Sequence, residues 1–484
     1  MDTYFISTSI PYVNARPHLG HALEFVQADA VARFWRARGR TVFFLTGTDE
    51  NAMKNVQAAE EKGMRVADFV AENSRAFIEL THALHISNDD FIRTSVEARH
   101  KEGAQKLWRS LNPEDVYKKR YAGFYCLGCE SFKTEKELTE KKCPEHPFIE
   151  LERVEEENYF FRLSRYQKPL EDLIVSNRLH IVPDTKKNET LAFIREGLED
   201  LSISRSSART KQWGIPVPGD AEQYMYVWVD ALSNYINALG YGTGDKKFED
   251  YWTHAREALH VIGKGINRFH TVYWPAFLLS AGVRTPTRVF VHGYITINGQ
   301  KMSKSLGNVA DPFAIVKQYG ADAVRYYLLR EISAYEDGDW SDGRFRERYT
   351  ADLANGLGNF VSRVAALAEK LGECKAHAPA PEVIAKIEET KKTVAAKMEE
   401  LRFNEAIAAI GDCVAFGDRY VNEKKPWATQ DKKAILDAVI MVDNLGALLA
   451  PFLPETAEKI TKSIQWLSPN VMKVERPPIL FPRL

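Results

Sequence analysis

A turn followed by a helix near the N-terminus constrains this chain most strongly. A strand-like apolar run comes first, and the stretch that begins at Pro17 has apolar residues at helical spacing until it stops at Gly39. Pro17 suits the first position of a helix. Helix N-termini attract phosphate, Gly20 allows close approach to the backbone, and His18 and His21 add hydrogen-bond donors. The sequence therefore predicts a phosphate-binding turn, although H-x-G-H alone is also typical of ordinary helix starts.

A second motif, Lys301–Ser305 with the sequence KMSKS, begins 280 positions after His21. It places Lys301 and Lys304 on one loop, where two cations can neutralise a triphosphate. A loop of lysine and serine is weak evidence by itself. Taken together, the two motifs indicate two halves of one ATP site.

The pair resembles the HIGH and KMSKS signatures of class I aminoacyl-tRNA synthetases. Further segments match the methionyl-tRNA synthetase family in order and spacing, and these are Ser9–Asn14, Leu45–Glu50, Tyr226–Ala231 and His292–Tyr294. The resemblance runs the whole length of the chain. It implies that methionine and ATP give methionyl-adenylate and pyrophosphate, and that methionine then passes to the terminal ribose of tRNA(Met), including the initiator tRNA.

Composition and length set broad limits on the fold. A chain of 484 residues is long enough for about three domains. No apolar run approaches the roughly 20 residues of a membrane span, and the N-terminus lacks signal-peptide features, so we expect a cytoplasmic protein with no membrane partner. The net charge of −1 means that RNA contacts must depend on local basic residues, and DNA is not expected as a partner.

Alternating strand-like and helical runs predict a parallel α/β sheet of the Rossmann type, with early strands at Tyr4–Ser9 and Thr41–Leu45. Later helical periodicity predicts an all-α bundle, and the proline-rich end, Arg476–Pro482, is expected along the surface. The predicted divisions are residues 1–115 for the first half of the catalytic domain, 116–225 for a zinc-bearing connective insertion, 226–285 for its second half, 286–345 for the KMSKS loop and stem-contact region, and 346–484 for the anticodon-binding bundle.

The insertion contains a C-x2-C pair, Cys126 and Cys129, and a C-x2-H pair, Cys143 and His146, separated by residues 130–142. Two such pairs can close a tetrahedral zinc site. Four protein ligands leave no open position for substrate, so we expect one structural zinc per chain. Unrelated buried thiols are the alternative. The resemblance agrees with zinc, because the family carries zinc knuckles in this segment.

The resemblance also implies roles in the reaction with ATP. It assigns His18 and His21 to phosphate contacts, while Lys301 and Lys304 stabilise the charge on the leaving pyrophosphate together with Mg²⁺. The chemistry agrees, because the amino acid supplies its own nucleophile. The enzyme therefore needs positioning and charge stabilisation rather than a general base.

For the amino acid, the family's methionine pocket corresponds to Ile10, Tyr12, Trp228, Ala231, Tyr235, Ile266 and His270, with Asp49 holding the α-ammonium group. An aromatic and aliphatic pocket suits a polarizable thioether. Without the resemblance, Trp228, Tyr235 and His270 are more typical of core residues.

Two positions depart from the common family pattern. Asn51 stands where a histidine is usual, and Gly265 stands where an aspartate is usual. The histidines and lysines of both signature motifs remain. The departures therefore indicate a variant subtype within the family rather than an inactive relative.

In the helical region, Asn359 and Arg363 are four positions apart and so share a helix face, and Trp427 follows Pro426. The resemblance assigns Asn359, Arg363 and Trp427 to the CAU anticodon. Tryptophan offers a stacking surface, and the other two offer hydrogen bonds to unstacked bases. A helix-start proline and a partly buried tryptophan are the ordinary alternative.

Two other functions remain open from the sequence. One is a class I synthetase for another apolar amino acid, which the short insertion disfavours because it is too small for the editing domain of the leucine, isoleucine and valine enzymes. The other is a non-catalytic tRNA-binding paralogue, which the intact signature histidines and lysines disfavour. The chain lacks an appended oligonucleotide-binding module of the kind that dimerises some family members, so we expect a monomer.

Overall fold

The computed structural model describes residues 2–126, 131–133, 138–144, 148–297, 299–301, 310–469 and 471–484. The chain divides into two compact units. The first comprises Met1–Pro17, Arg40–Glu79 and Asn88–Val291, and the second comprises His18–Gly39, Leu80–Ser87 and His292–Leu484. Each unit is therefore assembled from separate stretches of sequence.

The strands of the described residues, in chain order, are β1 (Thr3–Thr8), β2 (Thr41–Thr48), β3 (Asp90–Arg93), β4 (Val116–Cys126), β5 (Ser131–Lys133), β6 (Glu152–Phe161), β7 (His180–Val182), β8 (Leu201–Ser202), β9 (Ser204–Ser206), β10 (Pro216–Val217), β11 (Asp220–Met225), β12 (Glu257–Gly263), β13 (Arg288–His292), β14 (Ile295–Ile297), β15 (Gln300–Lys301), β16 (Gly338–Trp340), β17 (Glu373–Lys375), β18 (Ile464–Ser468) and β19 (Val471–Val474).

The α-helices are α1 (Leu19–Ala37), α2 (Met53–Glu61), α3 (Val66–Ala83), α4 (Ala98–Ser110), α5 (Gln167–Val175), α6 (Asp184–Arg195), α7 (Ser207–Thr210), α8 (Val227–Asn237), α9 (Lys246–Phe248), α10 (Trp274–Ser280), α11 (Pro312–Tyr319), α12 (Ala321–Arg330), α13 (Asp342–Arg348), α14 (Asn359–Glu369), α15 (Pro381–Glu399), α16 (Phe403–Lys424), α17 (Pro426–Thr429), α18 (Lys432–Leu449) and α19 (Pro454–Ser463). Short 3₁₀ turns cover Pro113–Asp115, Leu163–Tyr166 and Lys264–Ile266, and π-type turns cover Glu249–Thr253, Phe269–Tyr273 and Tyr349–Gly358. Within the part of the chain that the structure describes, a helix with the length and apolar character of a membrane span is absent.

A six-stranded sheet with the order β3-β2-β1-β12-β13-β7 forms the centre of the first unit. Strand β1 runs parallel to both β2 and β12, β2 runs parallel to β3, and β13 runs parallel to β7. The predicted parallel α/β sheet is confirmed. Strands that are distant in sequence become neighbours at β1 and β12, as expected for a sheet interrupted by an insertion.

The predicted insertion, residues 116–225, contributes to the main sheet and also forms sheets of its own. Its strand β7 pairs with β13 at the edge of the main sheet. Another part of it builds a four-stranded sheet, β5-β4-β6-β8, in which β4 and β6 are antiparallel, and β10-β11-β9 form a separate small sheet. Arg120 on β4 lies opposite Glu157 on β6, and Arg120 Nε lies 2.9 Å from Glu155 Oε1. Opposite charges therefore meet across the two strands at Arg120.

The C-terminal region is helical as predicted, but it is not all-α. Strands β17, β19 and β18 form a small antiparallel sheet beside the helices. Met472 and Val474 are buried while Lys473 between them is partly exposed, and this alternation with a period of two is typical of a strand with one face in the core. The final residues follow the surface as expected, except that Phe481 is buried against the ring of Tyr349.

A buried arginine joins three stretches of the second unit. Arg325 on α12 is fully buried, and its guanidinium lies 2.7 Å from the carboxylate of Asp29 on α1. It also donates to the carbonyl of Leu84 at 3.0 Å and to those of Pro451 and Phe452 at 3.0 and 2.7 Å. Burial alone would raise the pKa of Asp29, but Arg325 and Arg33 hold that pKa below its usual value. The pair therefore stays ionised inside the unit.

We expect Arg325→Met to lower the free energy of unfolding by about 3–5 kcal/mol, because it leaves the carboxylate of Asp29 buried without its main partner. Equilibrium denaturation measures the loss. Arg330→Met, at the partly exposed end of the same helix, serves as the control and should change stability by less than about 0.5 kcal/mol. If both variants lower the free energy of unfolding equally, the buried ion pair adds no stability beyond that of an ordinary surface arginine.

Candidate functional site

A cavity that is partly open to solvent lies in the first unit, next to the end of β1. Its lining residues come from the segment after β1, from α8 and from the two turns that precede α10. They are Ser9, Ile10, Trp228, Ala231, Leu232, Tyr235, Ile266 and His270. Six of these belong to the predicted methionine pocket, so the structure brings most of that set together.

Helix α8 supplies half of the lining through a regular spacing. Trp228, Ala231, Leu232 and Tyr235 stand at i, i+3, i+4 and i+7, and such residues share one face of a helix. All eleven residues of α8 are buried. Leu232 and Ser9 were missed by the sequence analysis. The helical spacing predicts Leu232, whereas Ser9 was noted only as the first residue of a matched segment.

Stacked and edge-on rings form the aromatic wall of the cavity. The indole of Trp228 lies flat against the ring of Phe269, with 3.7 Å between centroids and 8° between planes. Tyr12 and His270 meet the same indole edge-on at 6.2 and 6.3 Å. A flexible thioether makes favourable contacts with such ring edges and faces.

Two polar side chains of this wall, Tyr235 and His270, bond to each other. His270 Nδ1 lies 3.0 Å from the carbonyl oxygen of Ile266 and Nε2 lies 2.7 Å from the hydroxyl of Tyr235. Because a carbonyl only accepts, Nδ1 carries the proton of the neutral ring and Nε2 accepts from Tyr235. His260 lies behind Tyr235, 4.0 Å away between ring centroids. Burial, with a smaller effect of His270, holds the pKa of His260 well below its usual value, so this imidazole is uncharged.

Asp49 and Tyr12 adjoin the cavity rather than line it. Asp49 directly follows β2, is buried, and donates its backbone N–H to the carbonyl of Pro11 at 2.9 Å. The backbones of Tyr12 and Asp49 are paired, and the ring of Tyr12 contacts Trp228. The structure therefore places one carboxylate-bearing residue beside the aromatic wall.

The first signature motif, His18–His21, belongs to the second unit, and its helix begins two residues later than predicted. Helix α1 starts at Leu19, and His18 is its N-cap, so Pro17 precedes the helix instead of occupying its first position. His18 Nδ1 accepts from the N–H of Gly20 at 3.0 Å, and His21 Nδ1 accepts from the N–H of His18 at 3.1 Å. These side-chain bonds satisfy the helix end without help from a proline.

The two imidazoles stack with 3.9 Å between centroids. Burial, together with the nearby His18 and His292, lowers the pKa of His21 well below its usual value. Since Nδ1 of each ring accepts a hydrogen bond, the proton of the neutral ring lies on Nε2. The motif thus offers imidazole donors rather than two positive charges.

The side chain of His292 lies against the same helix, α1. Its Nε2 lies 2.9 Å from a carboxylate oxygen of Glu24 on α1, and its Nδ1 lies 2.7 Å from the carbonyl of Gly293. A Cβ on Gly293 would meet the carbonyl oxygen of Glu336 at 2.2 Å, so only glycine fits this position. The match at His292–Tyr294 therefore has a packing reason as well as an electrostatic one.

The second signature motif lies mainly outside the described residues. Lys301 ends β15, whose backbone pairs with β14, but its side chain is not described, and Lys304 falls in the undescribed segment 302–309. The predicted roles of both lysines stay predictions.

Two of the four predicted zinc ligands are described. Cys126 ends β4, and both it and Cys143 are fully buried. Cys129 and His146 lie outside the described residues, and among those that are described no group of three or more candidate ligands occurs. Two buried thiols in one small lobe fit a zinc knuckle.

The structure brings together two of the three predicted anticodon residues. The guanidinium of Arg363 on α14 lies 5.4 Å from the centre of the Trp427 ring, and 51% of Trp427 is exposed. Arg363 also donates to Asn422 at 3.0 Å and pairs with Asp418 at 3.3 Å. Asn359 is exposed one turn earlier on α14. Asn422 and Asp418 were missed, because nothing in the sequence pairs them with Arg363.

Comparisons with known proteins agree over the whole chain. The family model for tRNA synthetases class I (M) matches residues 4–153 and 149–365, and the model for the anticodon-binding domain of tRNA ligase matches residues 381–476. A Brucella suis protein named methionine–tRNA ligase is 42% identical over 95% of this chain and 91% of its own. A Thermotoga maritima protein of the same name is 40% identical over 96% of this chain and 75% of its own.

Among solved structures, this chain is similar to Mycobacterium tuberculosis methionyl-tRNA synthetase in complex with methionyl-adenylate. The TM-score is 0.92 with 36% identity, over 100% of both chains. The free form of the Mycobacterium protein gives a TM-score of 0.84 with 33% identity, over 100% of this chain and 98% of that one.

Proposed function

The chain belongs to the methionyl-tRNA synthetase family, and we propose how its own residues carry out methionine–tRNA ligation. The enzyme activates L-methionine with ATP to methionyl-adenylate, releases pyrophosphate, and transfers methionine to the 3′-terminal ribose of tRNA(Met). The observation that carries the residue assignment is the uncharged cavity of Trp228, Tyr235 and His270 with the carboxylate of Asp49 beside it.

Binding of methionine follows from the chemistry of that cavity. The side chain of methionine is unbranched, polarizable and nearly apolar, so aromatic rings and Ile10, Ala231 and Ile266 suit it. Because Tyr235 and His270 bond to each other, they present little unsatisfied polarity to a thioether. Asp49 supports the α-ammonium group by charge and by hydrogen bonding.

For ATP, we propose that His18 and His21 donate to phosphate oxygens at the start of α1, and that Gly20 allows close approach. Lys301 and Lys304 stabilise the pyrophosphate as it separates. Mg²⁺, which accompanies ATP, spreads the charge of the phosphates. These groups favour the transition state over the bound substrates, which is the requirement for a faster reaction.

Amino-acid-dependent exchange of pyrophosphate into ATP tests this function directly. We expect exchange with methionine and much less with leucine, isoleucine or valine, since a branched side chain does not match a cavity built for a linear thioether. Exchange with leucine or valine but not methionine would indicate a synthetase for another apolar amino acid. No exchange with any amino acid would indicate a non-catalytic tRNA-binding paralogue.

We also propose that Asn359, Arg363 and Trp427 contact the CAU anticodon. The half-exposed indole offers a stacking surface for an unstacked base. Asp418 and Asn422 hold the guanidinium of Arg363 next to that surface, so recognition has a prearranged stacking and hydrogen-bonding pair.

Trp427→Ala should lower the efficiency of tRNA charging about 5-fold to 150-fold, because stacking contributes roughly 1–3 kcal/mol per base. Pyrophosphate exchange without tRNA should stay near wild type. Trp466→Ala is a matched control, since Trp466 is exposed in the same unit to 43% and has no assigned role. The assignment fails if both variants affect charging equally, or if activation falls in parallel with charging.

A structural zinc held by Cys126, Cys129, Cys143 and His146 is the third proposal. Thiolates and an imidazole form a typical zinc set, and the thiols of Cys126 and Cys143 are buried. The metal stabilises the insertion and takes no part in the chemistry.

Cys143→Ala should lower zinc content and thermal stability together, because metal binding at a closed site contributes to folding. Metal analysis and a melting curve on the same sample measure both. Cys413→Ala is the control, as Cys413 is also buried but lies on α16. Full stability in a metal-free wild-type protein would contradict the proposal.

The predicted divisions at residues 115, 225, 285 and 345 are kept as a proposal for functional domains, alongside the two compact units. A monomeric state, a cytoplasmic location and the initiator tRNA as a substrate are proposed with them. Light scattering at working concentration decides whether the protein is a monomer.

A further inference from the structure

We propose that Asn51, Asp230 and His100 form a hydrogen-bonded chain that positions the carboxylate of Asp49 for the amino group of methionine. The inference rests on the proposed role of Asp49. It adds three positioning residues that do not themselves touch the substrate.

The first link joins Asn51 to Asp49. The backbone N–H of Asn51 donates to Asp49 Oδ1 at 3.2 Å, and Asn55 Nδ2 donates to the backbone carbonyl of Asp49 at 3.0 Å. The direction of the Asp49 carboxylate therefore depends on where the backbone of residue 51 lies.

The second link fixes that backbone through the side chain of Asn51. Its Nδ2 donates to Asp230 Oδ2 at 2.7 Å and to the carbonyl of Thr94 at 3.4 Å. Both partners only accept, so the orientation of the amide is determined. Asn51 is buried, and water therefore gives little substitute for these bonds.

The third link holds Asp230 itself. His100 Nε2 lies 2.5 Å from Asp230 Oδ1, and both side chains are almost fully buried. Asn237 Nδ2 contacts the ring and the backbone carbonyl of His100 at 3.3 and 3.1 Å. Each oxygen of Asp230 thus has one donor, and loss of either donor leaves a buried carboxylate oxygen unsatisfied.

The position of Asp230 connects this chain to the substrate. It lies on α8 between Trp228 and Ala231, which line the cavity. The bond from Asn51 therefore fixes the segment after β2, which carries Asp49, against the helix that binds the side chain of methionine. Residue 51 needs a side-chain donor that reaches Asp230, and asparagine meets that need where the family usually has histidine.

Two ligands separate positioning from packing. L-Methionine carries the ammonium group, and 4-(methylsulfanyl)butanoate is the same molecule without it. For Asn51→Leu we expect the dissociation constant of methionine to rise about 5-fold to 50-fold, as for loss of a buried partner. That of the analogue should change less than about 2-fold. Asn51→Asp keeps the shape of the side chain but loses the N–H donor, so it should change the two dissociation constants in the same way. It replaces Asn51→Leu in the experiment if the leucine variant does not fold.

Substitution of His100 adds a rescue test. His100→Leu should weaken methionine binding selectively, whereas His100→Gln should retain most of it, because a glutamine amide can donate to Asp230. Asn158→Leu is the control. Asn158 is fully buried on β6 of the same unit, so its loss should lower stability without changing the ratio of the two dissociation constants.

Equal weakening of both ligands by Asn51→Leu would overturn the proposal, because the side chain would then only shape the cavity. Unchanged methionine binding in Asn51→Leu, or equal loss in both His100 variants, would overturn it as well. A wild-type protein that fails to bind methionine would instead refute the proposed function, so the two failures are distinguishable.

Discussion

The second unit depends most on the ion pair and the hydrogen bonds that the guanidinium of Arg325 makes. Its nitrogens face one carboxylate and three backbone carbonyls from three separate parts of the chain. Helix α1, which carries the first signature motif, has mostly buried residues and no acidic residue in its first turn. Its location is therefore set by a buried ion pair near its middle rather than by charges at its start. The turn at 451–452, between α18 and α19, is held by the same group.

In the first unit, polar groups are arranged so that the proposed methionine cavity stays uncharged while its surroundings are highly polar. Tyr235 and His270 satisfy each other at the wall, and His260 stays neutral behind them. The carboxylates of Asp49 and Asp230 are held outside the lining by backbone and side-chain donors. Neighbouring parts of one site can thus bind a linear apolar side chain and a charged amino group separately.

The sequence was most informative where the pattern is local. Strand β1, helix α1 and the helical C-terminal region follow from hydrophobic periodicity, and Gly39 ends α1 with a φ of 73°, as a glycine after a helix commonly does. Short strands were missed, because β7 and β17 have three residues each and too few positions to show an alternation. The prediction of a helical C-terminal region is confirmed, but its all-α character was wrong, because β17, β19 and β18 form a small sheet beside the helices.

Pairs that are distant in sequence could not be predicted. Asn51 and Asp230 are 179 positions apart, and no spacing rule connects them. The pocket residues came from the family resemblance, since Trp228 and Tyr235 alone are typical of core side chains. Only Leu232 could have been added from the residues themselves, by completing the face of α8.

The capping bonds of His18 and His21 have a consequence for how this motif can be dissected. One nitrogen of each ring closes the first turn of α1, and the opposite nitrogen carries the proton. Replacement of either histidine by alanine removes both at once, so a lost cap and a lost ligand contact give the same kinetic defect. Methylated histidine isomers introduced by chemical synthesis would separate the two effects. A methyl group on Nε2 leaves the capping hydrogen bond intact, and a methyl group on Nδ1 removes it. The helix cap and the proposed phosphate contact therefore use opposite edges of the same two rings.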